Sequence, residues 1–300
     1  MNTRMFLIVG LSLIQLPVLP TPAHAQGSSG PVSAVSRGQT WRPTIDNISR
    51  YPTGLPAARR AKVLASLDAL LPVLQAALDT QGVQFRASRS FADDPQLPQG
   101  PFPLDLLVQG FEQQPDGKFE GEAATNIDLY VNDLKPLLSI SLDEPRIWLL
   151  KEDGVKRGGV TVFGGAFTLV SKGGVVPFKP VSKEEYARRV EAWLTRRKDD
   201  KTLAQLRADL AALSPAQRAE PMLLPKAYTS EGRPWPGFNG GVRPAIDVDP
   251  AYFDLTRRDV LQVLLLRGGV NRGNGHEQTV ERLRKFWRTL DYEALRALLR

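Results

Sequence analysis

LDLLVQGFEQQPDGKFEGEAATNIDLYVNDLKPLLSISLDEPRIWLL, running from Leu104 to Leu150, decides the fold class of this chain. It breaks into short strand-like pieces: Leu104–Glu112, Lys118–Ala123, Ile127–Val131, Leu137–Leu142 and Arg146–Leu150. Turn residues separate them, among them Pro115-Asp116-Gly117. The pattern continues with Val160–Phe163, Ala166–Ser171 and Val175–Phe178, divided by Asp153-Gly154, Gly158-Gly159, Gly164-Gly165 and Gly173-Gly174. Closely spaced strands with such turns predict hairpins in an antiparallel sheet. No helical pattern alternates with them, which argues against a parallel doubly wound sheet.

Upstream, Leu64, Leu67, Leu71, Leu74 and Leu78 recur at helical spacing, which predicts a helix over 57–80 entered at Pro56 and closed by Gly82. Pro72 lies inside it and splits or kinks it, because proline lacks the backbone donor. Val83–Phe91 reads as a strand, and Ala92–Pro103, with its four prolines, as a loop.

Downstream, Ser182-Lys183-Glu184-Glu185 opens a helix with a capping box. Tyr186, Val190, Trp193 and Leu194 form its buried face, and Leu203, Leu206, Leu210 and Leu213 continue the periodicity beyond a polar stretch. One long amphipathic helix is expected over 183–213, since no Gly or Pro interrupts it; a hairpin turning at Asp199-Asp200 is the alternative. Ser214-Pro215 starts a short helix. Strands are expected at Ala245–Asp249 and Asp259–Leu266. A helix is expected from a box at Asn274–Glu277 to Thr289, with Val280, Leu283, Trp287 and Leu290 inward, and a last one is capped by Asp291. The fold class is therefore α+β: an antiparallel sheet of hairpin-connected strands flanked by N-terminal and C-terminal helices.

The chain begins with Arg4 before an apolar run, Met5–Leu16, and a Pro-containing stretch ending in Ala23-His24-Ala25. That is the pattern of a cleavable export signal, expected over 1–25. A flexible leader is expected over 26–43 and a single α+β domain over 44–300, with a sub-boundary near 214–240. The run Leu261–Leu266 is too short to cross a bilayer. The expected product is a soluble periplasmic or secreted protein.

The 300 residues include no cysteine, which excludes thiol chemistry, thiolate metal sites and disulfides. The net charge is +7, unevenly spread: residues 91–153 hold thirteen acidic and four basic side chains, and 154–300 hold sixteen acidic and twenty-six basic. A basic surface suits an envelope protein or an anionic envelope component as partner; no nucleic-acid motif is present.

Catalytic signals are sparse. Beyond the export segment His276 is the one histidine, and zinc, serine-triad and β-lactamase patterns are missing. No metal and no cofactor are expected. Asp247 and Asp249, two apart on a strand, share a face and are the candidates for paired-carboxylate chemistry; Asp93-Asp94 and Asp143-Glu144 are further pairs. The plainer reading is that acids before Pro95, Pro145 and Pro250 start turns.

The stretch Gly268, Gly269, Val270, Asn271, Arg272, Gly273, Asn274, Gly275 lies between a strand and a helix, where backbone amides and Arg272 would hold an anion. It matches neither phosphate-loop nor dinucleotide pattern, so the alternative is a tight loop with glycines at positive φ. Trp235, Phe238 and Tyr252 offer an aromatic platform for a sugar or a partner, or else anchors for a long loop. The expected function is a non-enzymatic binding or scaffolding protein of the cell envelope, the alternative an envelope glycan hydrolase using paired carboxylates.

Overall fold

The computed structural model describes residues 41–46, 56–92, 100–114, 116–119, 123–142, 147–225, 235–270 and 276–300. In chain order the strands are β1 Ile45–Asp46, β2 Val83–Phe91, β3 Leu104–Glu112, β4 Thr125–Val131, β5 Leu138–Leu142, β6 Ile147–Leu150, β7 Gly154–Arg157, β8 Val160–Phe163, β9 Phe167–Ser171, β10 Phe178–Pro180, β11 Leu223–Leu224, β12 Arg243–Val248 and β13 Val263–Val270. The helices are α1 Ala57–Asp68, α2 Leu71–Ala77, α3 Lys183–Arg197, α4 Asp200–Ala211, α5 Pro215–Ala219, α6 His276–Thr289 and α7 Tyr292–Ala297.

Two sheets form. The larger runs β1-β2-β3-β4-β13-β9-β8-β7, the smaller β10-β12-β6-β5, with β11 also on β12. Apart from the two-residue parallel pair β1–β2 and the parallel bridge Trp41–Phe85 beside it, pairings among the described residues are antiparallel. The fold is α+β, as the turn spacing implies.

Burial stacks these elements in four layers. One face of the large sheet sends Phe85, Ala87, Leu106, Val108, Ile127, Leu129 and Leu264 into a core closed by Leu64, Leu67 and Leu74 of α1 and α2, Phe286 of α6 and Leu295 of α7. Its other face, through Phe163, Leu169, Val263 and Leu265, packs on Leu138, Trp148, Ile246 and Val248 of the small sheet. The far face of the small sheet, Ile147, Leu149 and Ala245, packs on Tyr186, Val190, Leu194, Leu203 and Leu206 of α3 and α4. Ile147, Trp148 and Leu149 divide between two cores because successive strand side chains point to opposite faces.

Several elements differ from expectation for identifiable reasons. The long helix over 183–213 is a hairpin instead. Lys198 takes a left-handed conformation, φ 56°, and Asp199 starts α4 by accepting from Thr202 N at 3.1 Å. Folding back lets Leu203 and Leu206 join the core under α3, and Arg207 pairs with Glu191 across the hairpin at 2.7 Å. The proline-bearing helix splits as expected: α1 ends at Asp68, and Pro72 sits in the first turn of α2, where its missing donor is harmless. Lys118, Phe119 and Ala123 lie outside any strand, and Gly154, read as a turn, begins β7. The piece expected at Val175–Phe178 is displaced to β10 by a 3-10 turn over Lys172–Gly174. The strand expected over Asp259–Leu266 starts at Val263 and runs to Val270. Residues 1–25, where an export signal is expected, Asp93-Asp94, Asp143-Glu144 and 271–275 lie outside the described residues.

The start of β13 is held by a buried amide. Asn132, at φ 54° just after β4, accepts from Gln262 N and Val263 N at 2.8 and 3.3 Å and donates to the carbonyls of Phe102 and Val260 at 3.2 and 2.9 Å. Asparagine tolerates this backbone conformation better than most residues. Asn132→Ala leaves four backbone groups without their partner, so a loss of about 3 kcal/mol is expected in urea denaturation.

Candidate ligand-binding cleft

The small sheet covers only part of the large one. In β2, β3 and β4 alternate side chains enter the helix-covered core, while Arg86, Ser88, Asp105, Leu107, Gln109, Asn126, Asp128 and Tyr130 fall on the opposite face. Tyr130 marks the border: it packs on the inter-sheet core and also lines a cleft of about 640 Å³. That cleft is bounded by Ile45, Asp46, Arg86, Ser88, Ser90, Asp105, Leu107, Gln109, Asp128 and Tyr130, all from β1 to β4.

Antiparallel register sets these side chains in transverse rows. Ser88, Leu107, Asp128 and Arg267 form one; Arg86, Gln109 and Asn126 the next; Ser90, Asp105 and Tyr130 a third. Arg86 donates to Gln109 Oε1 at 3.0 Å and lies 4.9 Å over the Phe111 ring, and Gln109 donates to Asn126 Oδ1 at 3.4 Å. At the rim, Arg42 donates to Gln84 and to the Phe119 carbonyl. The short β1 is fastened by Arg89, which pairs with Asp46 at 2.8 Å and Asp68 at 2.6 Å and so links it to α1.

Asp128 is half-buried, and burial raises its carboxyl above the ordinary range although the charge of Arg267 works the other way. Among the described residues its carboxyl accepts no hydrogen bond. Burial also raises the Tyr130 phenol, helped by the negative charge of Asp128, against a hydrogen bond from Arg267. The Arg267 guanidinium lies 5.6 Å from the Phe167 ring centroid. The site combines an apolar floor at Leu107 and Ile45 with donors at Arg86 and Gln109 and acceptors at Asp105 and Asp128. Ligand pockets share this combination of apolar lining and a few convergent polar groups. Among the described residues no group of three or more His, Asp or Glu is placed to hold a metal ion.

The residues singled out in the sequence lie elsewhere. Asp247, on β12, takes a two-pronged ion pair from Arg189 at 2.9 and 2.6 Å. Asp249 accepts from Ala251 N at 3.2 Å and stands 3.9 Å from Lys179, which is a turn-starting role. Gly268 and Gly269 are not in a loop but inside β13, opposite Ile127 and Asn126. The expectation of positive φ at these two is corrected: Gly268 makes room for α6, since a Cβ there would lie 2.9 Å from Trp287 Cζ2. Arg272, Gly273, Asn274 and Gly275 fall outside the described residues.

The aromatic residues divide between two cores. Trp235 donates to Asp209 at 2.7 Å, stands 4.7 Å from Phe238, and packs with it on the α3–α4 core. Tyr252 packs between the sheets, its hydroxyl accepting from Lys172 N at 2.9 Å and donating to the Gln262 carbonyl at 3.1 Å. For Asp105, Gln109 and Asp128 the sequence signal is polar positions alternating with buried ones inside the acidic stretch 91–153; Ile45, Asp46, Arg86 and Ser88 lie outside that stretch. Comparison with protein-family models, with curated proteins and with solved structures found no match to this chain.

Gly268→Ala pushes against the Trp287 indole and is expected to cost about 1–3 kcal/mol, read as a lower Tm. Glu185 accepts from Arg188 and Arg189, and these bonds lower its carboxyl from the ordinary 4.5 to about 2, the Arg188 bond most strongly and partial burial opposing them. A lowered folded-state value stabilises the fold fully above the unfolded value, and the contribution fades as pH falls from 4.5 toward about 2. Glu185→Gln is expected to flatten the dependence of Tm on pH in that window.

Proposed function

We propose that this is an exported, non-enzymatic binding protein of the cell envelope, periplasmic or secreted, whose ligand seats in the cleft over β1–β4. The observation that carries this reading is the half-covered sheet. Where its second face lacks the small sheet, it presents ordered polar side chains around an apolar floor in place of a second core. Exposed polar strands need no cavity, and a concave one with a half-buried carboxyl is the usual sign of a ligand site.

The export part of the reading rests on Arg4, the run Met5–Leu16 and Ala23-His24-Ala25. Among the described residues no helix is long and apolar enough to cross a membrane. An envelope protein or an anionic envelope component as partner is supported by exposed Arg196, Arg197, Lys198 and Lys201 at the turn between α3 and α4. The hydrolase reading has less support. Its carboxylates Asp247 and Asp249 are engaged by Arg189 and by a turn.

Thermal-shift screening of protein purified from the envelope fraction, against glycans, phosphates and amines, tests the seat. A ligand at a hundred times its Kd adds about 2.7 kcal/mol of stability. The expected result is a Tm rise that Leu107→Arg, which fills the cleft, removes. A shift unchanged by Leu107→Arg, or none across the screen, overturns the reading. Mass spectrometry is expected to find Gln26 at the N-terminus; an intact Met1 on cytosolic protein overturns export.

A further inference from the structure

Asp128 holds an unusual position among the charges of the cleft. It lies in the row Ser88, Leu107, Asp128, Arg267, with an apolar neighbour on one side and a cation on the other. Arg267, however, gives its hydrogen bond to the Tyr130 hydroxyl and places its guanidinium 5.6 Å from the Phe167 ring centroid. Asp46 pairs with Arg89 at 2.8 Å, and Arg86 donates to the neutral Gln109 amide at 3.0 Å. Asp105 stands one row away, diagonal to Asp128 across the β3–β4 pair, and adds a second negative charge. Its field, like that of Asp128, reaches the Tyr130 phenol.

The half-buried Asp128 carboxyl still opens on the cleft and takes no donor from the described residues, so a donor on a ligand can reach it. Carboxyls with a shifted pKa cluster at functional sites. We propose that the cleft takes a ligand bearing a cationic nitrogen, a primary ammonium or a guanidinium, which docks on Asp128 beside Asp105 and Tyr130 while its aliphatic stem lies on Leu107 and Ile45. The proposal rests on the reading of the cleft as the ligand seat. A hydroxyl-only ligand gives Asp128 a hydrogen bond but adds no positive charge beside Asp128 and Asp105. An anionic ligand drawn to Arg86 meets two carboxylates on the same floor. A cation supplies both the donor and the charge, and the burial that raises the Asp128 carboxyl strengthens the pair once formed. The net charge of +7 repels cations at long range, so the attraction is short-range and local to this face.

The test uses two probes that differ in one charge, Nα-acetyl-lysine methylamide and its Nε-acetylated counterpart, titrated into the full protein and followed by backbone amide NMR. The charged probe is expected to move amides of β3 and β4 and to bind about tenfold more tightly than the neutral one, the value of a charge-assisted hydrogen bond. Asp128→Asn, nearly identical in shape, is expected to remove that advantage, Asp105→Asn to reduce it, and Asp116→Asn, on an exposed turn, to leave it intact. Equal affinity for the two probes, or an advantage that survives Asp128→Asn, overturns the proposal. If the neutral probe binds and Leu107→Arg abolishes it, the seat stands and the cation requirement falls. If neither probe moves a β3 or β4 amide, the cation proposal falls, and the thermal screen decides the seat by itself.

Discussion

The structure depends on the burial of β13 on both faces. This strand comes late in the chain yet pairs with β4 on one side and β9 on the other, so it joins the strand run β1–β4 to the hairpins β7–β9. Leu264 and Leu266 enter the core under α1, α2 and α6, while Val263 and Leu265 enter the core between the sheets. A strand that faces two cores has no polar side to offer, and Val263–Leu266 has none. Removing it would expose both cores at once. The buried Asn132 amide that fixes where β13 begins is therefore a register device as well as a set of hydrogen bonds.

That insertion also explains where the cleft lies. The small sheet packs where the large sheet is apolar on its second face, from β13 outward through β9 and β8. On β2, β3 and β4 the corresponding positions are Arg86, Asp105, Gln109 and Asp128, and burying these beneath a second sheet would leave charges without water. The change in side-chain character across β4 thus decides both the edge of the inter-sheet core and the floor of the open face. Tyr130 suits the border because its ring packs inward while its hydroxyl stays among polar groups.

Much of this architecture is legible in the sequence where local chemistry decides it. The bounds of β2, β3 and β8 follow from apolar pattern and turn residues, the caps at Ser182, Ser214 and Asp291 from side chains suited to accept backbone donors, and the α1–α2 break from Pro72. What escaped depends on tertiary contacts. The α3–α4 turn uses a lysine, Lys198, in a conformation that glycine usually marks, and it is justified by the burial of Leu203 and Leu206 on return. Gly268 resembles loop glycine until the Trp287 ring is seen above it. The cleft residues are spread from β1 to β4 and converge through strand register, which spacing along the chain does not reveal.

Carboxylates illustrate why residue type alone misdirects. Asp247 and Asp128 both sit on strands, and both have an arginine within electrostatic reach. For Asp247 the arginine comes from α3, which packs across β12, and Arg189 closes both oxygens in a two-pronged pair that ties helix to sheet. For Asp128 the arginine is a strand neighbour whose guanidinium turns to an aromatic ring and a phenol, so among the described residues the half-buried carboxyl has no hydrogen-bond donor. The first carboxylate contributes to the fold through a completed ion pair, whereas the second has an arginine in electrostatic reach and, among the described residues, no hydrogen bond. Among carboxylates on the same kind of strand, the geometry of the partner, not the spacing of the acids, separates a completed ion pair from an open acceptor.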